Sequence, residues 1–372
     1  MATEPRVIHL IKATGIAGAE RHLLDLLPQL RARGCDAHLW VLTEPRRPVV
    51  EFLDEARARG IPTESLTIRA DLDLALLVRL VRRFRQTRPD MVHTHLVHAD
   101  VLGGLAAHWA GVHAVVTTRH NDDAFRRLLP FRALNGWLWR RVDAGIAVSS
   151  SVERFSREIE FARAPIQVIH HGVASVARSD RGNARDALGI PSDAVVIGLA
   201  CRLTKQKGVT HALQAFAMVS AAYPQAILLV AGDGPERRKL ESQAARSDGR
   251  ERVRFLGWQA DSGPVLSALD VLMAPSLWEG FGMVLLEGMA RGVPILATTA
   301  GAIPEIVADG ETGLLVPPGD AAALAAALDR LLGDAALRAR LGAAGAERAQ
   351  RDFGLSRMAE ETLASYAKVL AR

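Results

Sequence analysis

Short apolar runs of the β type alternate with helical periodicity from one end of the chain to the other. Arg6–Ile11 reads as a strand, and Ala19–Arg33 as a helix with Leu23, Leu26, Leu27 and Leu30 on one face. Further strands follow at Ala37–Leu42, Thr63–Leu66, Met91–Thr94, Ala114–Thr118, Ala144–Val148 and Ile166–Ile169. Helical stretches at Val49–Arg59 and Leu72–Phe84 interleave with them. That alternation requires crossover helices and parallel strands, so the expected fold class is doubly wound α/β. Between Ala174 and Gly189 the apolar runs give way to Ser, Arg, Asp, Gly and Ala, which predicts a linker over residues 173–184. The pattern then restarts at Val195–Leu199, Ile227–Ala231, Val253–Leu256, Val271–Ala274, Ile295–Ala297 and Leu314–Val316. The expectation is two α/β domains, residues 1–172 and 185–354, with ligands in the cleft between them.

Composition narrows the class without naming a function. The 372 residues are 49% hydrophobic and 23% charged, a globular mixture that argues against disorder, collagen or a disulfide scaffold. Cys35 and Cys201 lie far apart and match no metal or redox spacing. The start, Met1–Arg6, carries an acid and no long apolar run, which argues against a cleaved signal peptide. Val101–Val116, the longest weakly polar stretch, is interrupted by His108, His113 and glycines and makes a poor membrane span. A soluble, cytoplasmic protein is expected. Of the net charge of +5, the whole excess falls in the first 172 residues, which favours an anionic partner or surface there. Only five of the basic residues are lysines, and two of them, Lys205 and Lys207, share one short loop.

The strongest chemical signal runs Leu277-Trp-Glu279-Gly-Phe-Gly282-Met-Val-Leu-Leu-Glu287, continuing to Pro294. Glu279 belongs in a loop after the strand ending near Ala274, and Glu287 on a helix beginning near Met283. The N–H groups of Gly280, Phe281, Gly282, Met283 and Val284 at that helix start suit an anion. Carboxylates on either side can accept hydrogen bonds from vicinal hydroxyls, as sugars and ribose present them. A solvated helix start would explain one Glu, but not Gly-Phe-Gly or the downstream Gly301-Ala-Ile-Pro-Glu305. Arg202 and Lys207, five residues apart in a loop closed by Gly208, can clamp two negative charges; the bland alternative is a basic surface loop. Lys205 reads as solvent-facing.

His120 follows the strand Ala114–Thr118, where a doubly wound sheet presents side chains to its ligand, although a lone histidine is as often structural. His93 and His95 alternate along a strand and, with His98, invite a metal reading. No Cys or carboxylate completes the set, so no metal site is expected. Asp71-Leu-Asp73 reads as an acid pair at a helix start. Phe125–Arg141 mixes aromatics with Arg126, Arg127, Arg132, Arg140 and Arg141. It fits either a helix lying on an anionic membrane or an ordinary domain helix. The basic cluster Arg79, Arg82, Arg83, Arg85 and Arg88 adds to a positive face. No nucleic-acid module accompanies the charge, and nucleic acid is not an expected partner.

Taken in order, these motifs resemble the retaining GT-B glycosyltransferases, in particular glycosyltransferase family four, also called group 1, whose marker is a Glu, seven residues, Glu. The resemblance covers nearly the whole chain: Gly15-Ile-Ala-Gly18-Ala-Glu20, His93-x-His95, Thr118-Arg-His120, Ala147-Val-Ser149, Gly198 to Gly208, Val230-Ala-Gly232-Asp-Gly-Pro235, Phe255-Leu-Gly257 and Asp309-Gly-x-Thr-Gly313. Two departures stand out: Ala17 replaces a family glycine, and His170-His171-Gly172 stands where relatives usually show Pro-Asn-Gly. The resemblance implies two Rossmann-like domains, with a last helix at about 355–370 packing back on the first. It implies sugar transfer from a nucleotide-sugar donor to a hydroxyl of a saccharide or lipid-linked acceptor, with no cofactor and no metal. It assigns Glu279 and His120 to the sugar, Glu287 to the ribose, Leu256 to the base, and Arg202, Lys207, Gly18 and the Gly-Phe-Gly amides to the diphosphate. A nucleotide-sugar epimerase remains the alternative within the fold. A nicotinamide-dependent dehydrogenase is disfavoured because Gly15-x-x-Gly18 does not fit Gly-x-Gly-x-x-Gly.

Overall fold

The computed structural model describes residues 4–122, 124–176 and 181–372. The chain divides into two compact units, Met1–Gly172 with Leu355–Arg372, and Val173–Gly354. The predicted linker region belongs to the second unit, and helix Arg181–Ala187 begins inside it. That helix is fixed by Arg185, whose guanidinium is buried and donates to Asp270 at 2.5 Å and to the Ala268 and Ala194 carbonyls. A charged residue with buried partners hid an ordered helix inside a polar composition. Residues 177–180 of the expected linker lie outside the described residues.

The first unit is built on seven parallel strands: β1 (Arg6–Lys12), β2 (Asp36–Thr43), β3 (Thr63–Thr67), β4 (Met91–His95), β5 (Ala114–Arg119), β6 (Ala144–Ala147) and β7 (Ile166–Val168). Their order is β3-β2-β1-β4-β5-β6-β7. Strand alternation sorts β1 onto two faces. Val7 and Ile11 pack with Leu23 and Leu27 of helix Gly18–Arg31 and with Met358 and Tyr366 of helix Leu355–Leu370. Ile8 and Leu10 pack with Trp40, and with Leu76 and Leu80 of helix Leu74–Thr87. The C-terminal helix is therefore part of the first unit's core.

The second unit holds six parallel strands: β8 (Val195–Ala200), β9 (Ala226–Ala231), β10 (Val253–Gly257), β11 (Val271–Ala274), β12 (Ile295–Thr298) and β13 (Gly313–Val316). Their order is β10-β9-β8-β11-β12-β13. All six residues of β9 are buried and apolar, as a strand covered on both faces requires. Its main core joins Leu228 and Val230 to Phe216 of helix Val209–Ser220 and Leu328 of helix Ala321–Gly333.

Candidate active site

In the second unit the winding reverses between β8 and β11, and the loops after those two strands press together. Gly208 closes the first loop with φ of 62°, and a Cβ there would stand 1.9 Å from the Pro275 carbonyl oxygen, so glycine alone permits the approach. The Leu277 N–H donates to the Gln206 carbonyl at 2.7 Å, and Gln206 Nε2 donates to the Trp278 carbonyl at 3.0 Å. This seam brings Lys207 to Glu279, with Nζ 2.5 Å from Oε2. Ser276 Oγ donates to the same carboxylate oxygen at 3.1 Å, while Thr298 Oγ1 at the end of β12 donates to the Ser276 carbonyl at 2.6 Å.

Glu279 is only 7% exposed. Its backbone is held as firmly as its side chain: Ala302 N–H donates to its carbonyl at 3.2 Å, and a Cβ on Gly301 would meet that oxygen at 1.9 Å. The result is a part-buried ammonium–carboxylate pair, the kind of pair whose strength rises as water leaves. A ligand carrying both phosphate and hydroxyls can engage the two members separately.

Helix Met283–Ala290 opens beside this pair, with Gly282 at φ 99° preceding it. Lys207, Glu279, Gly282, Val284, Cys201 and Ala274 line one cavity. Glu287 lies on the same helix and accepts from Ser262 Oγ at 3.0 Å. Gly280 and Phe281 are buried, and the Phe281 ring packs edge-on against Phe353 at 6.5 Å, so whatever this position offers a ligand comes from its backbone. Met283 is half-buried in the helix's first turn. Arg202 opens the same loop as Lys207 but is exposed, and so is Lys205. Leu256 is half-buried on edge strand β10, with its carbonyl taken by Gln259 Nε2 at 3.0 Å.

His120 and Gly18 belong to the first unit. Gly18 begins its helix with open space where a Cβ would stand, so the fold itself does not demand glycine there. His120 is 7% exposed and stands among histidines that the sequence alone did not assemble. His9 on β1 is in register with His93 on β4, and His95 with Thr118 on β5, so period-two alternation sets these side chains on one face. His9 Nδ1 lies 3.1 Å from His95 Nε2, and His95 Nδ1 lies 3.1 Å from His120 Nε2. His22 and His171 meet through their Nδ1 atoms at 2.8 Å, which gives the departure at His171 a partner on helix Gly18–Arg31.

Burial, helped by neighbouring positive charge, pushes the His120 imidazole down to about 3; Arg119 and then Arg126 are the charges. His9 is likewise pushed to about 3 by burial and by His22. His22, His93, His95 and His171 are lowered as well, with burial the first cause in each. All six rings are neutral at neutral pH.

His9, His93 and His95 offer nitrogens within 4.8 Å of one another, a spacing open to a metal ion. His98 is not part of the group; its Nε2 bonds Asp71 at 2.8 Å. His9 and His95 already bond each other, and His93 bonds Tyr366 and Thr118, so a metal would have to displace those partners. The expected acid pair also divides: Asp73 caps helix Leu74–Thr87 by accepting from Leu76 N–H at 2.8 Å, while Asp71 is exposed outside it.

The opposite face of the same strands carries a buried ion network. Arg119 bonds Asp100 and Glu160, Arg126 bonds Glu160, and Trp139 Nε1 donates to Glu160 at 3.0 Å. Burial would raise the Glu160 carboxyl, but Arg119 and Arg126 outweigh it and hold it at about 2.

The segment Phe125–Arg141 is divided by this network, with Arg126, Asn135, Leu138 and Trp139 turned inward. Arg126 and Trp139 are buried, and Arg132 and Arg141 stack on Phe161 and Trp137. Leu128, Leu129, Arg127 and Arg140 remain exposed. A second apolar and basic strip combines Leu74, Val78, Arg82 and Arg85 of helix Leu74–Thr87 with exposed Trp109. Among the described residues no helix is long and apolar enough to cross a membrane.

Known proteins match across both units. The family model described as "Glycosyltransferase Family 4" matches residues 16–175, and "Glycosyl transferases group 1" matches residues 180–348. The phosphatidyl-myo-inositol mannosyltransferase of Mycobacterium leprae is 32% identical over 95% of this chain and 93% of its own. The alpha-maltose-1-phosphate synthase of Mycolicibacterium smegmatis is 29% identical over 95% and 96%. Among solved structures, sucrose-phosphate synthase from Thermosynechococcus elongatus superposes with a TM-score of 0.81 at 25% identity, over 98% of this chain and 99% of that one. Anabaena HepE, crystallised with UDP and glucose, shares the fold with a TM-score of 0.86 at 23% identity, over 98% and 100%. With relatives matched from end to end and a family model on each unit, the chain belongs to the group 1 glycosyltransferases and is an enzyme of the GT-B fold.

Proposed function

We propose that this enzyme moves a sugar from a nucleotide-sugar donor to a hydroxyl of a saccharide or lipid-linked acceptor, with the anomeric configuration retained. The observation that carries the reading is the Lys207–Glu279 pair at the β8/β11 reversal, held by a seam that tolerates only glycine at 208. Leaving-group departure puts negative charge on the diphosphate and positive charge on the sugar ring. Lys207 and Arg202 bind the diphosphate, with amides of the Gly280–Val284 segment assisting, and this preorganised charge supplies the stabilisation without a cofactor or divalent ion. Glu279 accepts from sugar hydroxyls, and its release from Lys207 when phosphate binds makes that acceptance stronger. Glu287 binds the ribose, Leu256 borders the base, His120 hydrogen-bonds the sugar, and Gly18 admits the phosphates to the first loop.

For the acceptor, a cell-envelope polysaccharide or glycolipid precursor fits best. The support is the first unit's positive excess and the Leu74–Arg85 strip, whose apolar residues and arginines suit the cytoplasmic face of an anionic membrane. The M. leprae relative's name, phosphatidyl-myo-inositol mannosyltransferase, points the same way.

The test is product analysis with a panel of sugar-labelled nucleotide donors and saccharide or lipid-linked acceptors. Acceptor-dependent release of nucleotide, with label in a glycoside of unchanged anomeric configuration, is the expected result. Label recovered as an epimerised sugar without any acceptor would replace this reading with an epimerase.

A further inference from the structure

Five hydrogen bonds join the first unit's buried polar groups into one unbranched chain. Thr118 Oγ1 lies 2.7 Å from His93 Nε2, and His93 Nδ1 lies 2.6 Å from the Tyr366 hydroxyl. That hydroxyl lies 3.2 Å from His9 Nε2. His9 Nδ1 then reaches His95 Nε2, and His95 Nδ1 reaches His120 Nε2, each at 3.1 Å. The chain ends at His120 Nδ1, a buried atom with no hydrogen-bond partner among the described residues. It therefore runs from Thr118 to His120 and passes through the C-terminal helix at Tyr366, 246 positions from His120.

A neutral imidazole has one N–H and one lone pair, so each ring passes its polarity to the next. The rings are neutral because burial disfavours their charged forms, and burial also keeps the Tyr366 phenol protonated. An arrangement in which His93 Nδ1–H and His9 Nε2–H both donate to the phenol oxygen strands the buried phenol proton, which leaves two orderings that satisfy every link and the phenol as well. In one, all four rings are Nδ1–H: the Thr118 hydroxyl donates to His93, His93 to Tyr366, Tyr366 to His9, His9 to His95, and His95 to His120. In the other, all four are Nε2–H, every bond is reversed, and the Thr118 hydroxyl proton is left without an acceptor in a residue 2% exposed. His120 Nδ1 lacks a partner among the described residues in either ordering, so the first strands one buried polar group and the second strands two, and the first prevails.

We propose that Tyr366 is a positioning residue for His120: acting through His9 and His95, it fixes the His120 proton on Nδ1, so that the terminal nitrogen faces a ligand as a donor. A donor there suits a sugar oxygen, and removing the phenol hydroxyl cuts His120 off from the Thr118 end that sets the direction. This step rests on the reading of His120 as the group that hydrogen-bonds the sugar.

The experiment is long-range ¹H–¹⁵N correlation on ¹⁵N-histidine-labelled full-length protein, which reads each ring's tautomer directly. His9, His93, His95 and His120 should all appear as Nδ1–H in the unaltered protein. In Tyr366→Phe, which keeps the ring in the core, His120 should become a mixture of tautomers, and transfer should slow about 10-fold with the KM for donor changed less than twofold. Val369→Ala, a packing change on the same helix, should leave the tautomer alone. Mixed tautomers among the four rings in the unaltered protein would overturn the proposal even if Tyr366→Phe did not fold, and so would an unchanged His120 in Tyr366→Phe. Full transfer activity in His120→Gln is a separate result: it would remove His120 from the sugar while leaving the tautomer measurement to decide the chain.

Discussion

Lys207 and Glu279 stand 72 positions apart, yet their side chains meet at 2.5 Å in a part-buried setting. Glu279 is the more buried member and Lys207 the more exposed one, so the ammonium keeps contact with water while it neutralises the carboxylate. Arg202, at the start of the same loop, differs: it is exposed, and on the proposed reading its partner is the donor's diphosphate. Replacing it by Ala should leave the fold intact and lower kcat about 10²-fold, the scale for losing one charge that stabilises a transition state. Steady-state kinetics with the best donor checks this, and a kcat within twofold of normal would take Arg202 out of the mechanism. Glu279→Gln keeps the shape but loses the charge that holds Lys207 and that, on the proposed reading, accepts hydrogen bonds from sugar hydroxyls. It should also slow transfer at least 10²-fold, read in the same assay.

At the scale of elements, the site is made by two loops forced together. Adding a Cβ to Gly208 or Gly301 would place it 1.9 Å from a carbonyl oxygen, with φ at 62° and 53°. Gly208→Ala should therefore cost about 2 kcal/mol or more and depress activity by shifting Lys207; chemical denaturation and kinetics together measure both. A denaturation midpoint equal to that of the unaltered protein would show that the seam is looser than described.

The elements also show what sequence could and could not reveal. Apolar periodicity located the strands because parallel strands are buried on both faces, as all of β9 is. Glu279 with Glu287, and Lys207 with Arg202 and Gly208, stood out because each motif is local; the contact of Lys207 with Glu279 spans 72 positions. The histidine chain did not stand out. His93 and His95 showed their alternation, but His9 sat inside an apolar strand, and only the β1–β4 register placed it beside His93. Tyr366 is 357 positions from His9, a distance that no local pattern spans. Phe125–Arg141 misled for a related reason: Arg126 looked solvated until Glu160, 34 positions away, came to meet it.

For the whole molecule, six buried neutral histidines set an acid limit. Unfolding exposes rings with an ordinary value near 6.5, whereas in the folded protein His9 and His120 lie at about 3 and the other four also well below 6.5. Below pH 6.5 the unfolded chain binds more protons than the folded one, so stability is present above that value and falls as pH drops. The expected slope approaches about 1.4 kcal/mol per pH unit for each histidine. Urea denaturation should show a steep loss of first-unit stability between pH 7.5 and pH 5.5. Equal stability at the two values would mean that the rings protonate in place and that the hydrogen-bonded chain is not neutral.

The central claim is that a fixed lysine beside Glu279 draws the diphosphate off the sugar. The most direct measurement is the acceptor-dependent transfer rate of Lys207→Ala at saturating labelled donor, on protein whose circular dichroism matches the unaltered enzyme. The account predicts a fall of about 10²- to 10³-fold, with the residual product keeping its anomeric configuration. Transfer at an undiminished rate by that variant would contradict it.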